Sequence, residues 1–373
     1  MVKSANKSAG RMWGLRLTVL LNIFLATALA LSYLAPYISP QKAWLPAILG
    51  LFYPMLFVLN LLFMICWIIK WRSYFLISLV ALLAGWTMFF RHVAFNEEKP
   101  IGSYDEALKV LSYNVRLFDQ HITGGKDLFV RNAIFELVKA KDAGIVCFQE
   151  FFHGNDKYFP TIGPFTEMQD AKNFHVDYVR EVEGRKHYGL ATFTKYPIVN
   201  RGEIHFEDAK SNSGIFTDIV FRGDTLRVFN FHLESVRFSR SDYKYVAEVM
   251  DPSASIPSSS SRIILGKLRQ AFRKRASQAE IIEGYVAASP YPVILCGDFN
   301  DTPASYAYQV ISRNLHDAFL ATGWGIGPTY AGSIPLLRID YILHSDQLEP
   351  FRFARIPSTN SDHYPVSCYF RLK

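Results

Sequence analysis

The first ninety residues contain three long runs of apolar side chains, separated by short polar segments. The runs extend from Leu15 to Leu34, from Ala47 to Ile69 and from Tyr74 to Phe90. A helix that crosses the hydrocarbon core of a bilayer needs roughly 17–25 mostly apolar residues, because each residue advances it by only about 1.5 Å. The pattern therefore predicts three transmembrane helices, the second of them kinked at Pro54.

The Lys and Arg residues beside these runs indicate how the chain crosses the membrane. With the N-terminus inside, the cytoplasmic flanks carry six basic residues (Lys3, Lys7, Arg11, Arg16, Lys70 and Arg72) and the outer flanks three (Lys42, Arg91 and Lys99). Because cytoplasmic loops are enriched in Lys and Arg, this bias favours a cytoplasmic N-terminus in a plasma or inner membrane. Three spans then place the chain from residue 104 onward outside the cytoplasm. A cleaved signal peptide is disfavoured, since its apolar stretch is shorter and two further spans follow here.

After a polar segment at 96–106, short apolar runs alternate with turn residues, which is typical of β-structure. The predicted strands are Ala107–Arg116, Gly144–Gln149, His187–Thr194, Gly214–Phe221, Asp224–Leu233, Tyr291–Gly297, Leu337–His344 and Pro365–Arg371. Two stretches, Asp127–Ala140 and about Ile263–Ala288, have helical spacing, and the Ser-rich stretch 251–261 is predicted to be a loop. Many strands with few helices favour an α+β fold of two packed sheets with helices outside. We assign 1–95 to the membrane anchor, 96–106 to a linker and 107–373 to one folded domain.

The net positive charge of the chain comes from its predicted membrane part. Of 40 basic and 33 acidic residues, nine basic and two acidic ones lie within residues 1–103, so the remaining 270 residues carry 31 of each sign. The formal charge of +7 is therefore no evidence for a nucleic-acid surface on the folded domain. A basic run on the second predicted helix (Arg262, Lys267, Arg269, Arg273, Lys274 and Arg275) fits either an anion-binding face or, more commonly, a solvated helix face, which we favour.

Polar side chains with catalytic chemistry follow six of the apolar runs. They are Asn114, Glu150, His232, the pair Asp298 and Asn300, Asp340, and the pair Asp362 and His363. A single Asp or Asn after a strand is usually a turn or cap residue, but six such clusters are hard to explain in that way. Carboxylate and amide oxygens are the ligands that Mg²⁺ prefers, and an Asp–His pair fixes the tautomer of an imidazole. Asn and His side chains can also donate hydrogen bonds to a phosphate, so the set suits a cation site beside a phosphate group.

These segments resemble the endonuclease/exonuclease/phosphatase superfamily, which includes pancreatic deoxyribonuclease, abasic-site endonucleases, neutral sphingomyelinases and inositol polyphosphate 5-phosphatases. The likeness runs from Lys109 to the C-terminus in the motif order of the family. It rests on Asn114, Glu150, Gly189 to Ile198 (GLATFTKYPI), Gly297 to Asn300 (GDFN), Arg338 to Asp340 (RID) and Ser361 to His363 (SDH). The resemblance implies a four-layer α/β/β/α sandwich, with two mixed sheets flanked by helices and the site at one edge of the sheets.

The resemblance also implies a role for each residue of the set. Glu150 would be the principal ligand of Mg²⁺ or Mn²⁺, helped by Asn114, which also contacts substrate, and by Asp362. Asp298 would orient or deprotonate the attacking water, while Asn300 holds a phosphate oxygen. His363, paired with Asp340, and His232 would contact the phosphoryl group. Ser235 matches a phosphate contact of the tyrosyl-DNA phosphodiesterase branch.

Three functions are consistent with this sequence. The first is a metal-dependent hydrolase that acts outside the cytoplasm on nucleic acid or another phosphodiester. The second is a lipid-headgroup phosphodiesterase, which the membrane anchor favours because it holds the site near a bilayer. The third is a non-catalytic membrane protein that binds a phosphorylated ligand, which the intact residue set disfavours. The partners expected are the phosphoester substrate and the lipid bilayer, and the sequence does not indicate a protein partner.

Overall fold

The computed structural model describes residues 2–96, 107–120, 127–154, 158–182, 184, 186–206, 212–239, 241–242, 245, 258–332, 334 and 336–373. The chain divides into two units, which are described separately. The first comprises Met1–His92 with Ala304–Tyr306, and the second comprises Val93–Pro303 with Ala307–Lys373. Except for Asn96, the predicted linker lies outside the described residues. So does the predicted Ser-rich loop up to residue 257, whereas its end belongs to a helix that begins at Ser258.

The first unit is helical, with α1 (Val2–Ser32), α2 (Leu45–Leu51), α3 (Tyr53–Ile69), α4 (Phe75–Ala84) and α5 (Trp86–His92). Within α1, Met12–Ser32 is long and apolar enough to cross a membrane. The second and third predicted spans are not continuous helices, because the chain bends by 67° between α2 and α3 and by 63° between α4 and α5. Among the described residues, one helix is therefore long and apolar enough to cross a membrane, or up to three if each bent pair counts as one span. The predicted kink is present, since Pro54 lies in the first turn of α3.

The interior of this unit contains a cluster of hydrogen-bonded polar side chains beside its apolar core, and its surface is apolar. Trp67 Nε1 donates to Asn22 Oδ1 (2.9 Å), Asn22 Nδ2 to Ser78 Oγ (2.6 Å), and Ser78 Oγ to Asn60 Oδ1 (3.2 Å). These four buried side chains join α1, α3 and α4. Large apolar side chains point outward on the same helices, among them Leu17, Phe24, Leu62, Ile69 and Val80. This polarity is the reverse of that in a water-soluble bundle and is typical of helices that pack in lipid.

The second unit consists of two six-stranded mixed sheets, in the part of the chain that the structure describes. The strands are β1 (Ala94–Phe95), β2 (Leu108–Asn114), β3 (Ile145–Gly154), β4 (Asn173–Val182), β5 (Lys186–Thr194), β6 (Ile198–His205), β7 (Ser213–Phe221), β8 (Asp224–His232), β9 (Val293–Asp298), β10 (His316–Asp317), β11 (Trp324–Gly325), β12 (Asp340–His344), β13 (Leu348–Arg355) and β14 (Val366–Leu372). The first sheet has the order β13-β14-β2-β3-β5-β4 and the second the order β10-β12-β9-β8-β7-β6. β2 and β3 are parallel, as are β8 and β9, and the other pairs are antiparallel. Separately, β1 pairs with β11.

Strand alternation produces two cores. On β2, Leu108 and Val110 pack between the sheets against the second sheet, while Leu111 and Tyr113 face helices on the outside of the first sheet. Those helices are α6 (Phe129–Lys141) and α7 (Ile162–Gln169). The long α8 (Ser258–Ala287) buries its own apolar stripe, and the short α9 (Tyr306–Ile311) and α10 (Ala318–Thr322) follow β9 and β10. The observed architecture is the predicted one of two mixed sheets flanked by helices.

All eight predicted strands and both predicted helices are present in the second unit, with shifted ends. The strands missing from the prediction include β4, β6 and β13, which all lie at an edge of their sheet. An edge strand is solvated on one side, so its apolar run is interrupted by polar residues. β6, with the sequence Ile-Val-Asn-Arg-Gly-Glu-Ile-His, is an example.

The basic run of α8 is not a continuous solvated face. Lys267 Nζ lies 2.5 Å from Asp242 Oδ2, and Lys274 Nζ lies 3.5 Å from Glu234 Oε1. Arg275 is 1% exposed, donates from Nε to Asp301 Oδ2 (2.9 Å) and from Nη1 to the Glu234 carbonyl (2.9 Å). For Arg275 the prediction of a solvated position was wrong, because its spacing places it on the buried stripe where a carboxylate and a carbonyl satisfy it.

Candidate active site

Glu150 reaches the site through a β-bulge. Two residues of β3, Gln149 and Glu150, stand opposite a single residue of β5, and Glu150 has a left-handed backbone (φ 49°). Phe148 and Phe151 on either side both face the outer core. Strict alternation would turn Glu150 to that core as well, so the bulge redirects its carboxylate to the edge where the two sheets meet.

The ends of β8, β9 and β12 place three site residues side by side. Asp298 pairs with His232 on one neighbouring strand and with Asp340 on the other. Paired residues of adjacent strands share a face of the sheet, which explains why these three side chains converge. His232 Nε2 is 3.7 Å from Asp298 Oδ2 and 3.6 Å from Glu150 Oε1.

Asn114, at the end of β2, connects these three residues of the second sheet to the first sheet. Its Nδ2 donates to Asp298 Oδ2 (2.9 Å) and contacts Glu150 Oε1 at 3.4 Å. Asn300 holds the same carboxylate from the other side, because its backbone N–H donates to Asp298 Oδ1 (2.8 Å). Asn300 also has positive φ (51°), which Asn tolerates better than most residues, and its Nδ2 donates to the Leu233 carbonyl at 3.0 Å.

His363 forms a dyad with Asp340. Its Nδ1 lies 2.9 and 3.1 Å from the two Asp340 carboxylate oxygens, and its Nε2 lies 3.7 Å from Asp298 Oδ2. Ser361 anchors this segment, since its Oγ donates to the Asn114 carbonyl (2.8 Å) and accepts from the His363 backbone N–H (3.2 Å). The imidazole therefore directs one nitrogen to Asp340 and the other to the centre of the site.

The remaining two predicted residues lie at the border of this group. Ser235 lines the wall of a cavity together with Glu150 and His232. Asp362 turns towards Arg116, whose Nη1 is 3.8 Å from Asp362 Oδ2. Arg116 in turn binds Asp119 (Nε to Oδ1, 2.7 Å), and it lies in a run of residues with positive φ from Arg116 to Asp119. The structure thus brings every predicted site residue to one edge of the sheets.

Burial and charge set the protonation of the group. Burial raises the pKa of Asp298 to about 6, although His363 opposes the shift. Burial alone lowers the pKa of His363, but the Asp340 and Asp298 carboxylates outweigh it and raise that pKa to about 10. Burial also lowers the pKa of His232. At neutral pH the site therefore contains an imidazolium at His363, a neutral His232 and an ionised Asp298.

Among the described residues of the site, two sets of side chains have the chemistry to hold a cation. Asp298, Asp340 and His363 form a buried group whose ligand atoms lie within 4.8 Å of one another. The His363 imidazolium already supplies a positive charge there, and its Nδ1 is occupied by Asp340. The Glu150 carboxylate is 31% exposed beside the cavity, with Asn114 next to it. Its oxygen-rich surroundings fit a hard divalent cation better than the dyad does.

Several supporting residues were not predicted from sequence. Thr329 Oγ1 accepts from the backbone N–H groups of Ile339 and Asp340 (3.0 Å each) and so holds the strand end that carries the dyad. The ring of Tyr330 lies edge-on to His363, with centroids 5.3 Å apart. Gln278 on α8 accepts from the Glu234 backbone N–H (2.9 Å), just after His232. No local signal marks these residues, because their partners are distant in sequence.

Two parts of this chain match models of protein families. A family model described as Endonuclease/Exonuclease/phosphatase family matches residues 111–363, and one described as a domain of unknown function matches residues 15–92. The CCR4-Not complex 3′-5′-exoribonuclease subunit Ccr4 of Coccidioides immitis is 25% identical over an alignment of 269 positions that covers 57% of this chain. The alignment covers 35% of the relative, so this chain spans about a third of that protein's length.

Solved structures show the same fold. The human Nocturnin catalytic domain, solved with a bound sulfate anion, aligns with a TM-score of 0.52 at 18% identity, over 74% of this chain and 97% of its own. Bacteroides thetaiotaomicron mannosyl-6-phosphatase aligns with a TM-score of 0.50 at 16% identity, over 70% and 99% of the two chains. Enzymes of the matched family are generally phosphoester hydrolases that use divalent metal ions. Since the family model covers more than half of the chain, this protein belongs to the endonuclease/exonuclease/phosphatase family.

Proposed function

We propose that the second unit hydrolyses a phosphodiester with the help of Mg²⁺ or Mn²⁺. The observation that carries the proposal is the position of the Asp298 carboxylate, which lies 3.7 Å from the Nε2 atoms of both His232 and His363. A buried carboxylate between two imidazoles, beside a second acid at Glu150, is suited to water activation next to a bound phosphoryl group. A phosphate-binding protein without catalysis would not need this base.

The protonation state of each site residue indicates its role in the proposed hydrolysis. Asp298, with a pKa of about 6, is ionised at neutral pH and accepts the proton of the attacking water. Asn114 and Asn300 hold its two oxygens, so the carboxylate keeps one orientation. The His363 imidazolium, kept protonated by Asp340, stabilises the negative charge that develops on the phosphoryl oxygens. His232 offers its Nε2 to the same group from the other side.

The cation would be held by Glu150, with Asn114 and Asp362 as the further ligands that the family resemblance implies. When bound, it supplies neutralisation of phosphoryl charge and polarisation of the ester. As placed here, the Asn114 amide donates to both carboxylates, and Asp362 faces Arg116. Removal of the cation is therefore expected to leave the proton-transfer group Asp298–His363–Asp340 in place while the rate falls.

The purified full chain in detergent provides the test. Hydrolysis of bis(p-nitrophenyl) phosphate should be lost in EDTA, return with Mg²⁺ or Mn²⁺, and disappear in Glu150→Gln and His363→Ala. Plasmid DNA and vesicles of sphingomyelin or phosphoinositide, assayed in parallel, separate a nuclease from a lipid-headgroup phosphodiesterase. A folded protein that binds the cation and hydrolyses none of these compounds would contradict the proposal and favour a binding protein.

The same proposal places the chain in a membrane with three spans, its N-terminus inside and the second unit outside the cytoplasm. The support is the hydrogen-bonded interior of Asn22, Asn60, Trp67 and Ser78 within an apolar surface, together with the Lys and Arg bias of the flanks. Alkaline phosphatase fused after Lys373 in a bacterial host should be active, and green fluorescent protein at the same place should be dark. The opposite pair of results would contradict the proposed topology of a cytoplasmic N-terminus followed by three spans.

A further inference from the structure

The strand-end residues of the candidate site belong to a row that continues onto β7. His232 at the end of β8 pairs with Asp298 at the end of β9. On its other side, Gly214 of β7 pairs with Phe231 of β8, so Ser213, the residue before Gly214, lies opposite His232. Paired residues of neighbouring strands share a face of the sheet. Ser213 therefore faces the same side as the two catalytic residues, one strand beyond His232.

A cavity of about 880 Å³ opens beside this row, within the second unit. Ser213, His232 and Glu150 belong to its wall, together with the apolar Leu190 and the aromatic Tyr188. Binding sites for whole small molecules occupy about 300–1,000 Å³. A phosphoryl group at His232 fills only part of this volume, so the organic group attached to that phosphoryl group has room beside Ser213.

The Ser213 hydroxyl has a buried carboxyl group as its neighbour. Ser213 is 1% exposed, and Asp177, which pairs with Leu190 of the cavity wall, is 5% exposed. Burial raises the pKa of Asp177, and the Ser213 hydroxyl opposes that shift. Their contact falls short of full hydrogen-bond geometry, since neither Ser213 Oγ nor Asp177 Oδ2 has a hydrogen-bond partner among the described residues. Unpaired buried polar atoms cost free energy, so these two side chains have the capacity to bind a polar group of a ligand.

The chemistry of these two side chains selects a hydrogen-bond donor. A carboxylate accepts hydrogen bonds and donates none, and a hydroxyl that turns its hydrogen towards that carboxylate presents its lone pairs to the cavity. Phosphate oxygens are acceptors too, so they are poorly suited to this position. Adjacent strands lie about 4.8 Å apart, which is about the distance from a phosphorus atom to a hydroxyl on the carbon next to the esterified carbon.

We propose that Ser213 accepts a hydrogen bond from a hydroxyl group of the substrate, on the carbon next to the one that carries the hydrolysed phosphate. This inference rests on the proposed function for the position of the phosphoryl group at His232. The substrate class is accordingly a phosphodiester of a sugar or polyol with such a neighbouring hydroxyl. Ribonucleotide 3′-esters and inositol esters both have it, whereas deoxyribonucleotides and esters of simple alcohols do not.

Binding of phosphate monoesters tests Ser213 separately from turnover, because the proposed phosphodiesterase does not hydrolyse them. By calorimetry on the full chain in detergent with Mg²⁺, uridine 3′-phosphate should bind about tenfold more tightly than 2′-deoxyuridine 3′-phosphate. Ser213→Ala should reduce this preference to about twofold or less, whereas Ser213→Thr, which keeps a hydroxyl, should retain it. Ser367→Ala is the matched control and should keep the full preference, because Ser367 is a buried serine on β14 of the first sheet.

A second pair of ligands, inositol 1-phosphate and cyclohexyl phosphate, separates a lipid-headgroup source from a nucleotide source. The pair with the larger preference in the wild type names the source. Equal affinities within both pairs, no binding of any of the four ligands, or a preference that survives in Ser213→Ala would overturn the proposal. If bis(p-nitrophenyl) phosphate is not hydrolysed while the binding preference holds, the proposed function fails and the assignment of Ser213 stands.

Discussion

Asn114 Nδ2 lies 2.9 Å from Asp298 Oδ2, a contact that joins two residues 184 positions apart in the sequence. Asn114 ends β2 in the first sheet and Asp298 ends β9 in the second, so this hydrogen bond spans the edge where the two sheets meet. Both residues are 1% exposed. The amide is the neutral donor between the partly exposed carboxylate of Glu150 and the buried carboxylate of Asp298.

The first prediction concerns this amide. Asn114→Asp should lower kcat about 10²- to 10³-fold at neutral pH, because a donor is replaced by a third buried negative charge. Asn200→Asp is the matched control, since Asn200 Nδ2 makes the same kind of contact with Asp218 Oδ2 (3.0 Å) outside the site. Steady-state hydrolysis of bis(p-nitrophenyl) phosphate measures both. Equal losses in the two variants would show that the effect of Asn114 is only structural.

The His363–Asp340 dyad should behave as one functional unit. Asp340→Asn and His363→Ala are each expected to reduce kcat/KM about 10²- to 10⁴-fold, and the double variant should be no slower than His363→Ala, because residues that act together are not additive. His316→Ala serves as control, since His316 makes an exposed pair with Asp346 (2.5 Å). If the losses of kcat/KM in the two single variants add up in the double variant, Asp340 and His363 act independently and the prediction is wrong.

Buried Arg275 should hold the segment after His232 through its charge. Arg275→Gln is expected to lower the free energy of unfolding by about 3–5 kcal/mol, because it leaves Asp301 buried without a cation. Adding Asp301→Asn should recover part of that loss. Urea unfolding of the purified chain measures this, with the exposed Arg273→Gln as reference. If Asp301→Asn makes the first variant still less stable, the pairing is not the cause.

The stability of the second unit should fall in acid because of His175. This histidine of β4 is buried beside Thr217 Oγ1 (3.1 Å), and burial lowers its pKa from 6.5 to about 4. Between those values the unfolded chain binds the proton and the folded chain does not, so stability decreases as pH falls from about 6.5 to about 4. A loss of roughly 1–3 kcal/mol is expected from this group.

His175→Gln keeps a polar partner for Thr217 but does not titrate in this range, so its unfolding free energy should vary less between pH 7 and pH 4. The exposed His205 on β6 provides the comparison. His205→Gln should follow the wild-type curve. Denaturant unfolding at fixed pH values measures all three proteins, and identical slopes for wild type and His175→Gln would contradict the assignment.

Much of the fold and most of the site can be predicted from the sequence for one physical reason. A strand in the interior of a sheet is apolar on both faces, so it appears in the sequence as a continuous apolar run. The polar residue that ends such a run lies at the end of its strand. Asn114, Glu150, His232, Asp298 and Asp340 all end or interrupt a run in this way. The long apolar runs of the first ninety residues likewise predict the exposed apolar side chains that the helices of the first unit carry.

Tertiary structure alone decided how these residues work together. Alternation along β3 would direct Glu150 into the outer core beside Phe148, and only the bulge with positive φ turns it to the site. The pairing of His363 with Asp340 and the pairing of buried Arg275 with Asp301 join residues from different elements of the fold. Local patterns record whether a residue is buried, whereas contacts between distant strands are set by register and packing, which leave no local pattern.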